Sequence, residues 1–114
     1  MFKSVDYVGF EADPDSLAKA QALSAVLDRE LDSRIGELAV TWKRVSDEEV
    51  ELELYDDVLD ARASKVFGIE EVEDDPRVFP RLSWNLYLDV MQSYSRRRAK
   101  ELKAHRQAAP QAVA

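Results

Sequence analysis

The sequence predicts an α+β fold in which a small antiparallel sheet packs against two long helices. Two observations lead to this class. Residues 37–45 and 49–55 alternate apolar and polar side chains with the period of strands, whereas residues 15–35 and 82–106 repeat apolar side chains at helical spacings. A further apolar segment, residues 2–10, adds an N-terminal strand to the predicted sheet. The length of 114 residues suits one domain with a substantial core.

The N-terminal strand is followed by a helix-start signal. Residues 2–10 are rich in β-branched and aromatic side chains, and Gly9 marks a bend or bulge near the end of the strand. Asp13 can cap a helix by accepting backbone N–H groups. Pro14 suits the first helical position, where the missing N–H costs no hydrogen bond. The first long helix is therefore expected to begin at this Asp-Pro pair.

The first helix is predicted over residues 15–35. Its apolar stripe recurs every three or four residues, which is the spacing of one helix face. Gly36 follows the last apolar position and is expected to end the helix, because glycine readily adopts the left-handed conformation found there. The stripe consists of Leu17, Ala20, Leu23, Leu27, Leu31 and Ile35.

The two alternating runs predict a β-hairpin closed by a short polar turn. The register that we prefer places Trp42 opposite Val50 and Lys43 opposite Glu49. This register keeps the apolar side chains on one face and forms a charge pair on the other. A slip of one residue would bury the glutamates of the second strand, so the two faces are strongly specified.

Two segments after the hairpin are harder to assign. For residues 56–68 we favour a short helix ending at Gly68, although residues 59–63 also fit a further strand. Residues 69–80 predict a loop, because they combine a run of acidic residues with Pro76 and Pro80.

The C-terminal helix, residues 82–106, begins apolar and aromatic and ends basic. Its first half is expected to complete the core, and its second half to project with a positive charge. Residues 1–106 are thus predicted to form a single α+β domain, with residues 107–114 as a flexible C-terminal tail. The predicted core contains Leu23, Leu27, Leu31, Leu38, Val40, Trp42, Val50, Leu52, Leu54, Trp84, Leu88 and Met91.

Charge is strongly segregated along the chain. The formal net charge is −7, yet the first 80 residues hold nine basic and 21 acidic side chains, and the remainder holds seven basic and two acidic ones. The formal charge is therefore −12 before residue 81 and +5 after it. Segregation of this kind is typical of a protein that meets a charged partner, and also of an acidic domain with a basic last helix.

Several kinds of chemistry find no support in the sequence. There is no cysteine, His105 is the only histidine, and the three glycines are scattered. These residues predict no disulfide, catalytic triad, metal site or phosphate-binding loop, and hence no catalytic residue and no cofactor. No segment approaches the ~20 apolar residues of a membrane span, and no signal peptide is recognisable. We therefore expect a cytoplasmic protein that does not contact membranes.

Two groups of charged residues are candidate partner-binding sites. The basic group has two interpretations: cations that favour the negative end of a helix and pair with the acidic body, or contacts to phosphate groups. The acidic group is either a solvated strand face that discourages pairing of sheet edges, or a surface that docks a basic partner or imitates a phosphate backbone. The groups comprise Arg96, Arg97, Arg98, Lys100 and Lys103, and Glu49, Glu51 and Glu53.

The predicted order of elements resembles that of ribosome-hibernation factors, which have a β-α-β-β-β-α fold. The resemblance lies in Gly9 and Phe10 with the helix after them, in the hairpin over residues 37–55, and in the basic helix end over residues 96–106. It covers most of the chain as topology, without a specific motif. It implies an association with RNA or with the ribosome.

Three functional hypotheses follow. The favoured one is a non-enzymatic binding or regulatory module that docks a macromolecular partner, most simply a protein, through segregated charge. The second is a ribosome- or RNA-associated factor that uses the basic helix. The third is an enzyme that uses carboxylates such as Asp56, Asp57 or Glu70, which would require a concave pocket. Exposure of the remainder of the aromatic run Trp84, Tyr87 and Tyr94 would additionally favour a homodimer or another protein interface.

Overall fold

The computed structural model describes residues 2–31 and 37–108, and it has the predicted α+β class. Within these residues one four-stranded sheet has the strand order β1-β2-β3-β4. The order of elements is β-α-β-β-β-α with one short helix added, in agreement with the fold that the resemblance implies. The elements are β1 (Ser4–Val8), α1 (Pro14–Leu31), β2 (Leu38–Arg44), β3 (Glu49–Asp56), β4 (Ala61–Gly68), α2 (Ile69–Glu73) and α3 (Val78–Ala108).

The sheet is mixed, and not antiparallel throughout as predicted, because β1 runs parallel to β2. Val5 lies opposite Val40 in this pair. The reason lies in the connection: α1 carries the chain back along the sheet, so β2 starts from the same end as β1. The pairs β2–β3 and β3–β4 are antiparallel, as expected for tight connections.

The helix-start signal at Asp13 is confirmed. The backbone N–H of Ser16 donates to Asp13 Oδ1 at 3.1 Å, and α1 begins at Pro14. One face of α1 is buried through Ala20, Leu27 and Leu31. The predicted end of this helix at Ile35 and Gly36 lies outside the described residues, as do residues 109–114 of the predicted tail.

The hairpin forms with a register two residues away from the predicted one. Trp42 lies opposite Leu52, and Lys43 lies opposite Glu51. The centre of the turn lies one residue further along the chain than expected, and the N–H groups of Val45 and Ser46 both donate to the Glu49 carbonyl oxygen. A slip of two residues leaves every side chain on its predicted face, so the apolar face stays buried.

The prediction of a helix within residues 56–68 is wrong, because residues 61–68 form the edge strand β4. A turn precedes the strand: the Asp56 carboxylate accepts the N–H groups of Val58 and Leu59, and Asp60 has a positive φ of 49°. β4 then pairs with β3 along its whole length, from Asp56 opposite Ala61 to Glu49 opposite Gly68. This pairing satisfies an edge of β3 that would otherwise be open.

The loop predicted over residues 69–80 is also wrong at both ends. Residues 69–73 form α2, which buries Ile69 and Val72, and α3 begins at Val78. Pro80 is tolerated because it occupies the first turn of α3, where backbone N–H groups have no helical partner. Phe79 is therefore a core residue, stacked on Trp42 with ring centroids 6.1 Å apart.

The buried face of α3 differs from the predicted one. Leu86 and Val90 are fully buried, whereas Leu88 is 53% exposed and Met91 is 37% exposed. The rotation follows from the true start of the helix, since a stripe beginning at Phe79 continues to residues 82, 83, 86 and 90. α3 packs beside α1 and across β4 and β3, so the helices cover one face of the sheet.

Candidate partner-binding surfaces

The last part of α3 extends beyond the body of the domain. Val90 is the last fully buried side chain of the helix, and Tyr94 and Arg97 are the last half-buried ones. The side chains of residues 98–107 are all exposed. At 1.5 Å per residue, the projecting segment, residues 98–108, is about 16 Å long. The basic residues predicted as a site are thus divided between the margin of the domain and a helix standing in solvent.

Three of these basic residues form one stripe on α3. Arg96, Lys100 and Lys103 are separated by four and three residues, which places them on the same helix face. All three are exposed. Among the described residues they take part in no ion pair and no side-chain hydrogen bond. We call these three residues the basic stripe.

Arg97 points to the body of the domain instead. Its guanidinium donates to the backbone carbonyl oxygens of Leu59 and Asp60 in the turn between β3 and β4. It also lies 3.6 Å from the Asp60 carboxylate and 5.8 Å from the centre of the Tyr94 ring. Arg97 therefore has a structural role, because it ties α3 to this turn. The sequence alone could not distinguish it from its neighbours Arg96 and Arg98.

Arg98 differs from both the basic stripe and Arg97, because it pairs with a residue of its own helix. Its guanidinium lies 3.7 Å from Glu101, one turn further along the helix, and Arg97 lies 3.5 Å from the same carboxylate. Exposed pairs of this kind contribute little to stability. The five basic residues predicted as one group thus divide into a free stripe, a structural anchor and a locally paired arginine.

The acidic residues of β3 are largely paired within the sheet. Glu51 lies 3.8 Å from Lys43 on β2, and Glu53 lies 4.0 Å from Arg62 on β4. All four side chains belong to the face of the sheet that the helices leave uncovered. This arrangement neutralises much of the predicted acidic row.

Glu49, a candidate partner-binding residue, and Glu70, a candidate catalytic carboxylate, lie close together at the N-terminal end of β3. They line an acidic hollow of about 310 Å³ together with Glu48 and Glu71. The hollow brings carboxylates together without a cation among its lining residues. Nevertheless, within residues 2–31 and 37–108 no group of three His, Asp or Glu side chains is placed to hold a metal ion.

The two remaining carboxylates considered for catalysis make local contacts. Asp56 is 6% exposed and accepts the two backbone N–H groups of the following turn at 3.0 and 3.1 Å. The Asp57 carboxylate accepts a hydrogen bond from the Lys3 ammonium, and this contact raises the pKa of Lys3 above its ordinary value. Asp56 therefore fixes the turn between β3 and β4, and Asp57 ties the start of this turn to Lys3, the residue before β1.

Sequence reasoning missed a groove between β4 and the first turns of α3. It has a volume of about 390 Å³, and three of its lining residues are basic. The sequence did not group these basic residues, because Lys65 lies in a segment predicted as helix and Arg77 lies in a segment predicted as loop. The β4–α3 groove is lined by Lys65, Asp75, Arg77, Val78, Arg81, Leu82 and Asn85.

Comparisons with known proteins give no information about the function of this chain. The chain matches no protein-family profile, no curated protein and no solved structure. In the described residues, no helix is both long enough and apolar enough to cross a membrane.

Proposed function

We propose that this protein is a non-enzymatic binding module that docks a macromolecular partner through segregated charge. The observation that carries this proposal is the basic stripe on α3. Its three cations share one helix face, are exposed, and have no counter-charge among the described residues. A partner protein with an acidic surface would gain three ion pairs there without displacing an existing contact.

The position of the stripe supports docking over internal pairing. The acidic body already pairs several of its carboxylates with its own cations, as in the contacts of Glu51 with Lys43 and of Asp13 with Arg44. The stripe begins where α3 leaves the domain, so a partner can approach it without meeting the sheet. Attraction between a stripe and a partner of opposite charge also speeds encounter at low ionic strength.

The test is capture of partners from the native lysate by the full chain at low salt. The variant Arg96→Ala/Lys100→Ala/Lys103→Ala removes the stripe. The matched control, Lys19→Ala/Lys43→Ala/Arg62→Ala, also removes three cations, and each of these cations has an acidic neighbour in the structure. We expect the stripe variant to lose a salt-sensitive partner that the control retains. Equal capture by both variants would contradict the proposal.

A ribosome- or RNA-associated factor is the second candidate. It is supported by the β-α-β-β-β-α order of elements together with the unpaired stripe. Fold alone does not determine function, so the stripe carries this argument too. Nuclease treatment of the lysate separates the two candidates, because a protein partner survives it and an RNA-mediated partner is lost.

RNA binding also predicts a characteristic dependence on salt. Each neutralised phosphate adds about 0.7–0.9 to the slope of log K against log salt concentration. Loss of the three cations should therefore lower that slope by about two to three, as measured by fluorescence anisotropy with a labelled RNA. An unchanged slope in the stripe variant would exclude these residues from phosphate contact.

A further inference from the structure

The β4–α3 groove concentrates positive charge on a chain that is acidic overall. Lys65, Arg77 and Arg81 contribute three cations to its lining, and Asp75 contributes the one carboxylate. The formal net charge of the lining is thus positive, whereas that of the whole chain is −7. The groove and the acidic hollow share no lining residue, so the folded chain separates the two charges.

The carboxylate of Asp75 is already hydrogen-bonded to Arg77. The carboxylate accepts two hydrogen bonds from this guanidinium, both at 3.1 Å, and a third from the Arg77 backbone N–H at 3.0 Å. These bonds, with the Arg81 guanidinium nearby, hold the pKa of Asp75 below its ordinary value. Lys65 and Arg81 take part in no ion pair among the described residues.

Lys65 reaches the groove because of its position on the sheet. It lies opposite Leu52, whose side chain belongs to the buried, helix-covered face. β4 is the edge strand, and α3 crosses it without filling the space above this lysine. From the other side α3 contributes Arg81 and Asn85, which are four residues apart and share one helix face.

We propose that the β4–α3 groove binds a phosphate group, held by Lys65, Arg81 and the side-chain amide of Asn85. Arginine presents a planar set of donors that matches phosphate oxygens, and lysine adds a compact charge. The amide contributes a neutral donor. A volume of about 390 Å³ admits a small phosphorylated ligand or a short stretch of a phosphate backbone.

The groove and the basic stripe lie on the same flank of α3. Asn85 and Lys103 are 18 residues apart, which is five turns of a helix with 3.6 residues per turn. The phosphate group can therefore belong to a small molecule or to a nucleic-acid strand that follows α3. The residues of the groove are not those of the stripe, so this inference stands or falls separately from the proposed function.

The test is a titration of the full-length, ¹⁵N-labelled protein followed by NMR. One arm uses inorganic phosphate and pyrophosphate, and the other uses a short single-stranded RNA. The groove variant is Lys65→Gln/Arg81→Gln, and the matched control is Lys43→Gln/Arg62→Gln, which removes two cations from the uncovered face of the sheet. Circular dichroism and the melting temperature verify that both variants fold.

We expect shifts centred on Lys65, Arg81 and Asn85, and an affinity at least about tenfold weaker in the groove variant than in the control. Shifts with phosphate or pyrophosphate support the proposal with a small phosphorylated ligand. Shifts with RNA alone support it with a nucleic-acid ligand. The proposal is overturned if neither probe perturbs these residues, or if the groove variant binds as tightly as the control.

Discussion

At the scale of single residues, Asp13 connects the start of α1 to β2. Its carboxylate accepts the Ser16 backbone N–H at 3.1 Å, the Ser16 hydroxyl at 2.9 Å and the Arg44 Nε–H at 3.0 Å. The hydrogen bond from the Ser16 backbone N–H is the main cause that holds the pKa of Asp13 below its ordinary value of 3.8, and Arg44 adds to it. One side chain thus caps a helix and fixes it to the sheet.

The lowered pKa predicts the direction of a pH effect. The stabilisation by ionised Asp13 is fully present above its unfolded pKa and is lost as the pH falls through the lower, folded value. Asp13→Asn should retain most of the cap and lose the part of the stability that varies with pH below about 4. Asp13→Ala should lose both. Urea midpoints measured across that pH range check this, and parallel profiles for wild type and Asp13→Asn would contradict it.

Trp42 is the residue around which the core is packed. Its side chain is fully buried, and its ring centroid lies 6.0 Å from that of Phe67 and 6.1 Å from that of Phe79. Its indole N–H finds no acceptor among the described residues. The side chain therefore contributes apolar packing while carrying an unsatisfied polar group.

Two substitutions of Trp42 separate these contributions. Trp42→Ala should lower the free energy of unfolding by about 3–5 kcal/mol, because it leaves a large cavity. Trp42→Phe should cost clearly less, since it keeps an aromatic ring and removes the unpaired N–H. Urea unfolding followed by circular dichroism gives both values. Equal losses in the two variants would contradict this expectation.

At the scale of elements, α3 is fixed to the sheet partly through Arg97. Arg97→Ala should destabilise the domain by about 1 kcal/mol, because it removes the hydrogen bonds to the carbonyl oxygens of Leu59 and Asp60. Arg96→Ala should leave stability almost unchanged, since Arg96 has no such contact, and should weaken binding instead. Thermal unfolding and partner affinity of both variants provide the comparison, and the reverse assignment of the two effects would refute it.

Elements with a local chemical signal could be predicted from the sequence. Asp13 and Pro14 specify the start of α1, and alternation specifies which face of the hairpin is buried. The turn after Arg44 could not be predicted in its true position, because it depends on the hydrogen bonds that the Ser46 hydroxyl oxygen accepts from the N–H groups of Glu48 and Glu49 in the folded chain. The register therefore differs by two residues although both faces are correct.

The buried face of α3 could not be predicted because apolar residues surround its first half. Leu88 and Met91 are as apolar as Leu86 and Val90, and packing against β3 and β4 decides between them. The basic residues of the candidate site could be assigned to one helix from the sequence, and the structure places them on α3. Only the fold shows that Arg97 turns inward to the β3–β4 turn.

At the scale of the whole molecule, the projecting end of α3 makes the protein elongated. The molecule measures 67 × 28 × 23 Å and has a radius of gyration of 17.8 Å. A compact chain of this length would have a radius of gyration of about 13 Å. The excess length places the free cations away from the acidic body, where attraction between the two regions is weaker.

Truncation after Arg98 tests whether this extension contributes to the fold. The removed helical residues bury no described side chain, so the free energy of unfolding should change by about 0.5 kcal/mol or less. The radius of gyration from small-angle X-ray scattering should fall toward about 13 Å. A large drop in the urea midpoint would show that residues beyond Arg98 pack on the domain.

The projecting segment of α3 also has a thermodynamic consequence. Residues 98–107 have no tertiary packing to hold them helical, so their helix depends on intrinsic propensity and on growth from the packed half. Ala99 and Ala104 are the best helix formers there, and a glycine at either position costs about 1 kcal/mol of helix formation. A partner that recognises the helix would then bind about fivefold more weakly. Helix–coil equilibrium would thus tune the affinity for such a partner while every cation of the basic stripe stays in place.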